Sequence, residues 1–130
     1  MILLDTSVLI AADIRRLSGD RIFGASILSR AELEFGVAVA GPGQVDGRRR
    51  RLADLDALFD WLSFTEATTH AYGILARVIH PEAPAQARRI DTYIAAHALQ
   101  LSVPLMTANP KDFQRVAHLI DVMDFASASP

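Results

Sequence analysis

Short apolar runs alternate with longer helical patterns along all 130 residues, and this alternation predicts an α/β fold, a three-layer α/β/α sandwich around a central, mostly parallel sheet. Two further observations support that class. Apolar residues make up 51% of the chain, and 130 residues suffice for a single domain spanning 1–130 that needs no staple. Right-handed crossovers in such a fold place ligands beyond the carboxyl ends of the strands.

Met1–Leu4 reads as a short buried strand, followed by a helix from about Ser7 to Leu17. Ser18-Gly19-Asp20 makes a turn into a second strand over Arg21–Ser26. Ser29 then opens a helix to about Ala40, which Gly41-Pro42-Gly43 stops. A third helix is expected over Gln44–Asp60, where Leu52, Leu55, Leu58, Phe59 and Leu62 recur at helical spacing. Leu62–Phe64 reads as a short strand and Thr68–Ile79 as a helix broken by Pro81 and Pro84. Ala87–Leu101 forms a long helix with Ile90, Ile94 and Leu101 on its apolar stripe. Val103–Met106 is a strand, Pro110–Ala117 a short helix and Asp121–Phe125 a last strand.

Composition narrows the function classes. With no cysteine, disulfides and thiolate metal sites are excluded, which fits a reducing cytoplasm. No signal-peptide pattern opens the chain, and no stretch approaches the roughly 20 apolar residues that span a bilayer, so a cytoplasmic protein without membrane contact is expected. A net charge of −2 excludes a general polyanion coat, so any polyanion must be gripped locally. Every basic residue except Lys111 is arginine, whose fork matches phosphate oxygens. His70, His80, His97 and His118 show no zinc-binding spacing.

The acids carry the chemistry. Asp5 follows Ile2-Leu3-Leu4, Glu32 and Asp91 fall near the starts of helices, and Asn109 and Asp112 follow the strand at Val103–Met106. Each has a structural reading. Asp5, Thr6 or Ser7 is suited to cap the helix that follows, and Ser29-Arg30-Ala31-Glu32 matches a capping box. Asp91 suits the dipole of its helix, Asn109 before Pro110 is an ordinary turn opener, and Asp112 fits an exposed surface. Taken together they are more specific. Two carboxylates ~4 Å apart repel by about 4 kcal/mol at an effective dielectric near 20, so clustered acids partly protonate, separate or share a cation. Oxygen donors without cysteine or histidine favour Mg²⁺ or Mn²⁺ over zinc, and such an ion suits phosphodiester hydrolysis.

Ile2-Leu3-Leu4-Asp5-Thr6-Ser7, Ser29-Arg30-Ala31-Glu32-Leu33-Glu34-Phe35-Gly36, Ile90-Asp91-Thr92-Tyr93-Ile94-Ala95-Ala96 and Thr107-Ala108-Asn109-Pro110-Lys111-Asp112-Phe113 together resemble the landmark segments of PIN-domain ribonucleases, above all the VapC-type toxins of VapBC toxin–antitoxin systems. The resemblance covers nearly the whole chain, in order. It implies a PIN-like fold and Mg²⁺- or Mn²⁺-dependent endoribonuclease activity. Asp5 and Asp91 would hold the ion, Glu32 would orient or deprotonate the attacking water, and Asn109 would complete the set where many relatives carry a fourth acid. Asp112 is the other residue able to supply that charge. Thr6, Ser7 and Thr107 would support the site. The resemblance also implies a homodimer, a cognate VapB-type antitoxin covering the active groove, a higher toxin–antitoxin assembly, and operator DNA contacted only through the antitoxin.

Arginines are the expected RNA contacts: Arg15, Arg16, Arg48, Arg49, Arg88 and Arg89. The run Arg48-Arg49-Arg50-Arg51 equally reads as a solvated helix face. Two other functions compete, a receiver-like phosphoacceptor signalling domain and a PIN-like binding module with too weak a metal site for catalysis. A phosphatase of the D-x-D type would need an aspartate where Ser7 stands.

Overall fold

The computed structural model describes residues 1–13 and 21–127. Strand β1 (Ile2–Leu4) leads through Asp5 into helix α1 (Thr6–Ala11), and β2 (Phe23–Ala25) into α2 (Ile27–Ala38). Helices α3 (Val45–Leu58), α4 (Glu66–Ile79), α5 (Pro84–Ala87) and α6 (Ile90–Leu101) follow. Strand β3 (Leu105–Thr107), a 3-10 helix (Pro110–Val116), β4 (Val122–Asp124) and a 3-10 turn (Phe125–Ser127) complete the order.

The four strands run β2-β1-β3-β4, and every neighbouring pair is parallel. Side-chain alternation along each strand then decides which layer a residue joins. Leu3 and its register partner Leu105 enter one core with Ala71 and Leu75 of α4, Ile94 of α6, and Phe113. Leu4 and its partner Met106 point the other way, into a second core with Val8, Leu9, Leu55 and Phe59. Two cores on opposite faces of one parallel sheet are the three-layer sandwich expected from the alternation of strands and helices.

From β1 the chain steps outward to β2, then returns past β1 to β3. The direction therefore reverses between β1 and β3, where an open α/β sheet forms its ligand crevice at the carboxyl ends of the strands. Asp5 and Thr107 stand at those two ends.

Several boundaries differ from the sequence expectation, for identifiable reasons. Helix α2 begins at Ile27, not Ser29, because Ser26 caps it by accepting from the Leu28 amide at 3.0 Å. The capping box lies instead at Thr65 and Thr68, which exchange side-chain and backbone hydrogen bonds and start α4 at Glu66. The expected strand at Leu62–Phe64 shrinks to one bridge between Leu62 and Ser26, since only Ala25 and Ile27 bond Leu62 through the backbone. Pro84 opens the short helix α5, so the long helix starts at Ile90. Helix α1 ends at Ala11, short of the expected Leu17, because Ala12 turns extended (φ −73°, ψ 141°), and the rest of that expected helix and the turn Ser18-Gly19-Asp20 lie outside the described residues.

Two arginines of the α3 run, Arg48 and Arg51, are structural. Arg51 donates through Nε and Nη2 to the Leu9 carbonyl, at 3.0 and 2.7 Å, and through Nη2 to the Ala12 carbonyl. It thereby satisfies carbonyls that the end of α1 leaves without helical partners. Arg48 does the same for α2, with Nη1 2.6 Å from the Gly36 carbonyl and Nη2 3.2 Å from Gln44 Oε1. Arg49 and Arg50 are exposed and make no hydrogen bond or ion pair among the described residues. Charged donors to carbonyls are worth about 1.5–3 kcal/mol. Arg51→Met should therefore lower the unfolding free energy by about 2 kcal/mol in a urea titration, while Arg49→Met and Arg50→Met should each change it by less than about 0.5 kcal/mol. Equal losses across the three would contradict the division of roles.

Candidate active site

Asp5 occupies the N-cap position of α1, yet its side chain makes no cap hydrogen bond. That removes the pure capping reading. The carboxylate turns into the β1–β3 crevice, where it is only 4% exposed. Its Oδ2 accepts from Ser7 Oγ at 2.8 Å and from Thr107 Oγ1 at 2.9 Å. Each of those hydroxyls accepts in turn from the loop after β3, Ser7 from the Ala108 amide and Thr107 from the Asn109 amide, both at 3.0 Å. The donors therefore run one way, from backbone amide to hydroxyl to carboxylate. Asp5 Oδ1, by contrast, is buried and has no hydrogen-bond partner.

Glu32 lies two turns into α2, half-buried, with its Oε1 2.6 Å from Thr6 Oγ1. Thr6 also hydrogen-bonds the buried Ser29 hydroxyl at 2.9 Å. Glu32 is thus tied to α1 and not to the start of its own helix, which sets the capping-box reading aside. Glu34 faces elsewhere, exposed and 4.0 Å from Arg30.

Asp91 sits in the first turn of α6. Its carboxyl is pushed up from 3.8 to about 6, chiefly by burial and next by the negative charge of Asp5. Arg89 opposes the rise, and Glu32 and Asp112 add to it. Four acids from four parts of the chain therefore share one electrostatic environment. Asn109 precedes the 3-10 helix, exposed, and its side chain makes no hydrogen bond among the described residues. Asp112 is also exposed, with its backbone carbonyl accepting from Gln86 Nε2 at 3.3 Å.

Among the described residues no three His, Cys, Asp or Glu side chains stand close enough together to enclose a metal ion by themselves. Mg²⁺ does not require that, since it keeps several waters and binds through one or two carboxylates. A buried carboxylate oxygen without a donor, whose negative charge acts on a second carboxyl that burial keeps from ionising, fits a hard divalent cation. No histidine contributes, for His97 is in the core, its Nε2 3.2 Å from the Ser63 carbonyl.

Of the expected RNA contacts, Arg48 is committed to Gly36 and Gln44, while Arg49, Arg88 and Arg89 are exposed. Arg15 and Arg16 lie outside the described residues. The sequence reading did not assign Ser29 a place beside Thr6. A serine three residues before a glutamate suits a capping box equally well, so the sequence carries no separate signal for its contact with Thr6.

Residues 2–119 match the family model of the PIN domain. The chain belongs to the PIN-domain family. Proteins of that family are generally nucleases, and membership displaces the receiver-like reading. Among solved structures it is similar to a VapBC-1 chain from nontypeable Haemophilus influenzae, at 28% identity and a TM-score of 0.72, covering 98% of this chain and 100% of that one. A chain of VapBC-5, a member of the VapBC family of toxin–antitoxin systems from Mycobacterium tuberculosis, matches at 26% identity and 0.75, over 94% and 96%. FitAcB from Neisseria gonorrhoeae matches at 26% and 0.77, over 98% and 100%. No curated protein matches the chain significantly in sequence. Among the described residues no helix is long and apolar enough to cross a membrane.

The raised Asp91 carboxyl has a consequence for stability. The folded state holds that proton more tightly than the unfolded chain, so the residue is harmless below about pH 4 and increasingly destabilising as pH rises through about 6. In metal-free buffer, Asp91→Asn should stabilise the protein at about pH 7.5 by ~1 kcal/mol, allowing for solvent screening of a half-buried group. The gain should vanish near pH 4. Urea titrations at the two pH values check this, and a variant no more stable than the parent at about pH 7.5 would refute the cost assigned to burying Asp91 beside other acids.

Proposed function

We propose that this chain is the toxin of a type II toxin–antitoxin system, a cytoplasmic endoribonuclease dependent on Mg²⁺ or Mn²⁺ and neutralised by a cognate VapB-type antitoxin. The observation that carries the reading is Asp5, whose one oxygen is fixed by two hydroxyls and whose other is buried without a donor. Desolvating a carboxylate oxygen in this way is costly unless something pairs with it. Membership of the PIN family and likeness to VapBC chains support the same conclusion.

Asp5 and Asp91 would hold the ion, with Glu32 and the fourth position reaching it through water. When bound, the ion would supply charge neutralisation at a phosphoryl oxygen and lower the pKa of a water. Glu32, its Oε1 anchored by Thr6, would orient the attacking water and take its proton. Ser7 and Thr107 keep Asp5 in one rotamer. We assign the fourth position to Asp112 in preference to Asn109, because the charge of Asp112 reaches Asp91 whereas an amide contributes none. Arg88 and Arg89, exposed just before Asp91, would meet RNA phosphates beside acids that otherwise repel the strand. The likeness to toxin–antitoxin chains supports a VapB-type partner, and a homodimer and higher assembly belong to the same proposal.

Asp5→Asn and Asp91→Asn should each reduce Mn²⁺-dependent cleavage of single-stranded RNA by more than the ~10–100-fold that loss of a metal ligand's supporting partner brings. Expression of either variant should no longer arrest growth. Glu34→Gln, on the outer face of the same helix as Glu32, should cleave like the parent. Full activity in Asp5→Asn with circular dichroism unchanged would overturn the site assignment.

A further inference from the structure

Helix α6 presents Asp91, yet its N-cap residue Arg89 makes no side-chain cap hydrogen bond. The first turn is closed from outside the helix. The Gln86 carbonyl accepts from the Arg89 amide at 3.1 Å and from the Thr92 hydroxyl at 3.0 Å. Thr92 follows Asp91 directly and is buried, so these bonds fix the turn that carries the acid. Gln86 thus holds Asp91 through its backbone, while its side chain reaches the other way. Its Nε2 donates to the Asp112 carbonyl at 3.3 Å, across 26 residues of sequence. One residue bridges the segments that carry Asp91 and Asp112.

Both ends of that bridge are anchored. Gln86 lies in α5, a helix of four residues that is too short to persist by itself. Ala87 is buried in the same core as Leu75 and Ile94, and its carbonyl accepts from Tyr72 Oη at 3.1 Å. Tyr72 in turn stacks on Tyr93 of α6, with ring centroids 4.0 Å apart. At the other end, the Asp112 amide donates to the Asn109 carbonyl at 3.0 Å. The Asn109 amide donates to Thr107, which donates to Asp5. Hydrogen bonds therefore run from Asp5 through Thr107, Asn109 and Asp112 to Gln86, and on through Thr92 to the turn of Asp91. The charges of Asp5, Glu32 and Asp112 all act on Asp91, so repulsion works to part the loop from the helix. A neutral amide suits the task of opposing it. It ties one backbone segment to another and pairs with neither carboxylate.

We propose that Gln86 is a positioning residue that sets the spacing between Asp91 and Asp112, and with it the affinity of the acids for a divalent cation. The inference rests on the nuclease reading above and on Asp112 as the fourth acid. Gln86 acts through Thr92 and the Asp112 backbone, without contact to substrate. The competing role is a surface bond that only stabilises α5. In that case loss of the amide lowers stability and leaves cation binding unchanged.

The test titrates Mn²⁺ calorimetrically into the metal-free full chain, with circular dichroism and urea unfolding recorded for every variant. Gln86→Met keeps the unbranched shape of the side chain and removes the donor. It should weaken Mn²⁺ binding roughly tenfold, the lower end of what losing a ligand's supporting partner brings. Gln86→Asn keeps the amide but lacks the reach, and it should show the same loss, which separates the effect from a folding defect peculiar to one variant. The Mn²⁺ concentration for half-maximal RNA cleavage should rise by the same factor, while kcat at saturating Mn²⁺ matches the parent. The double variant of Gln86→Met with Asp112→Asn should bind Mn²⁺ no more weakly than Asp112→Asn alone, because both act along one path. Parental Mn²⁺ affinity in Gln86→Met and Gln86→Asn, whatever their urea midpoints, would overturn the positioning role and leave the nuclease reading standing. Losses that add in the double variant would do the same. If Asp112→Asn bound Mn²⁺ like the parent, the fourth-acid assignment would fall and the role of Gln86 with it. A parent that neither binds Mn²⁺ nor cleaves RNA would overturn the nuclease reading and this inference together.

Discussion

One carboxylate joins the two halves of the sheet. Asp5 ends β1, Thr107 ends β3, and the bond between their side chains at 2.9 Å crosses the point where the strand order reverses. Ser7 closes the arrangement from α1, and the amides of Ala108 and Asn109 lock both hydroxyls from the far side. Since every donor in this chain points toward Oδ2, the polar burden of the crevice is concentrated on a single oxygen. The second oxygen is left buried and without a donor. The local fold thus gives up an ordinary helix cap and accepts an orphaned acceptor in its place. Such exceptions to polar pairing concentrate at functional positions.

The remaining acids are built outward from that point. Thr6, one residue after Asp5, reaches Glu32 at 2.6 Å, so α1 couples the first acid to the second through adjacent positions. Asp91 comes from α6 across the sheet edge and feels the charge of both, together with that of Asp112. Arg48 and Arg51 hold the far ends of the two helices that carry Thr6 and Glu32. The acids are therefore positioned by hydrogen bonds at one end of α1 and α2 and by guanidinium clamps at the other. Rigid placement of mutually repelling carboxyls prevents them from relaxing apart.

Much of this was legible in the sequence. The apolar run at Ile2–Leu4 and the helical spacing of Leu52 and Leu55 were enough for strand, helix and layer. The residues Asp5, Glu32 and Asp91 stood out as acids beside buried segments, and the structure brings them into one electrostatic environment. Local competition was not legible. Ser26 and Ser29 are both acceptable caps three residues apart, and only the packing of Ser29 against Thr6 decides between them. The strand at Leu62–Phe64 had the right composition, but its ladder stops at one bridge. In the arginine run a solvated face holds for Arg49 and Arg50, while the bonds of Arg48 and Arg51 were not legible, because a pattern of charges does not reveal carbonyl ends of helices that arrive from elsewhere in the chain. That the charge of Asp112 reaches Asp91 was not legible for the same reason: charge acts through space, and the reach of an exposed acid depends on tertiary geometry.

The central claim is that Asp5 presents a free oxygen to a divalent cation which Asp91 shares. Calorimetric titration of Mn²⁺ into the metal-free protein, repeated between about pH 5 and pH 8, tests it directly. Because the Asp91 carboxyl is pushed up to about 6 and must ionise to serve as a ligand, binding should release protons and weaken as pH falls through that value. No binding at any pH, or binding of equal strength on both sides of about pH 6, would contradict the account.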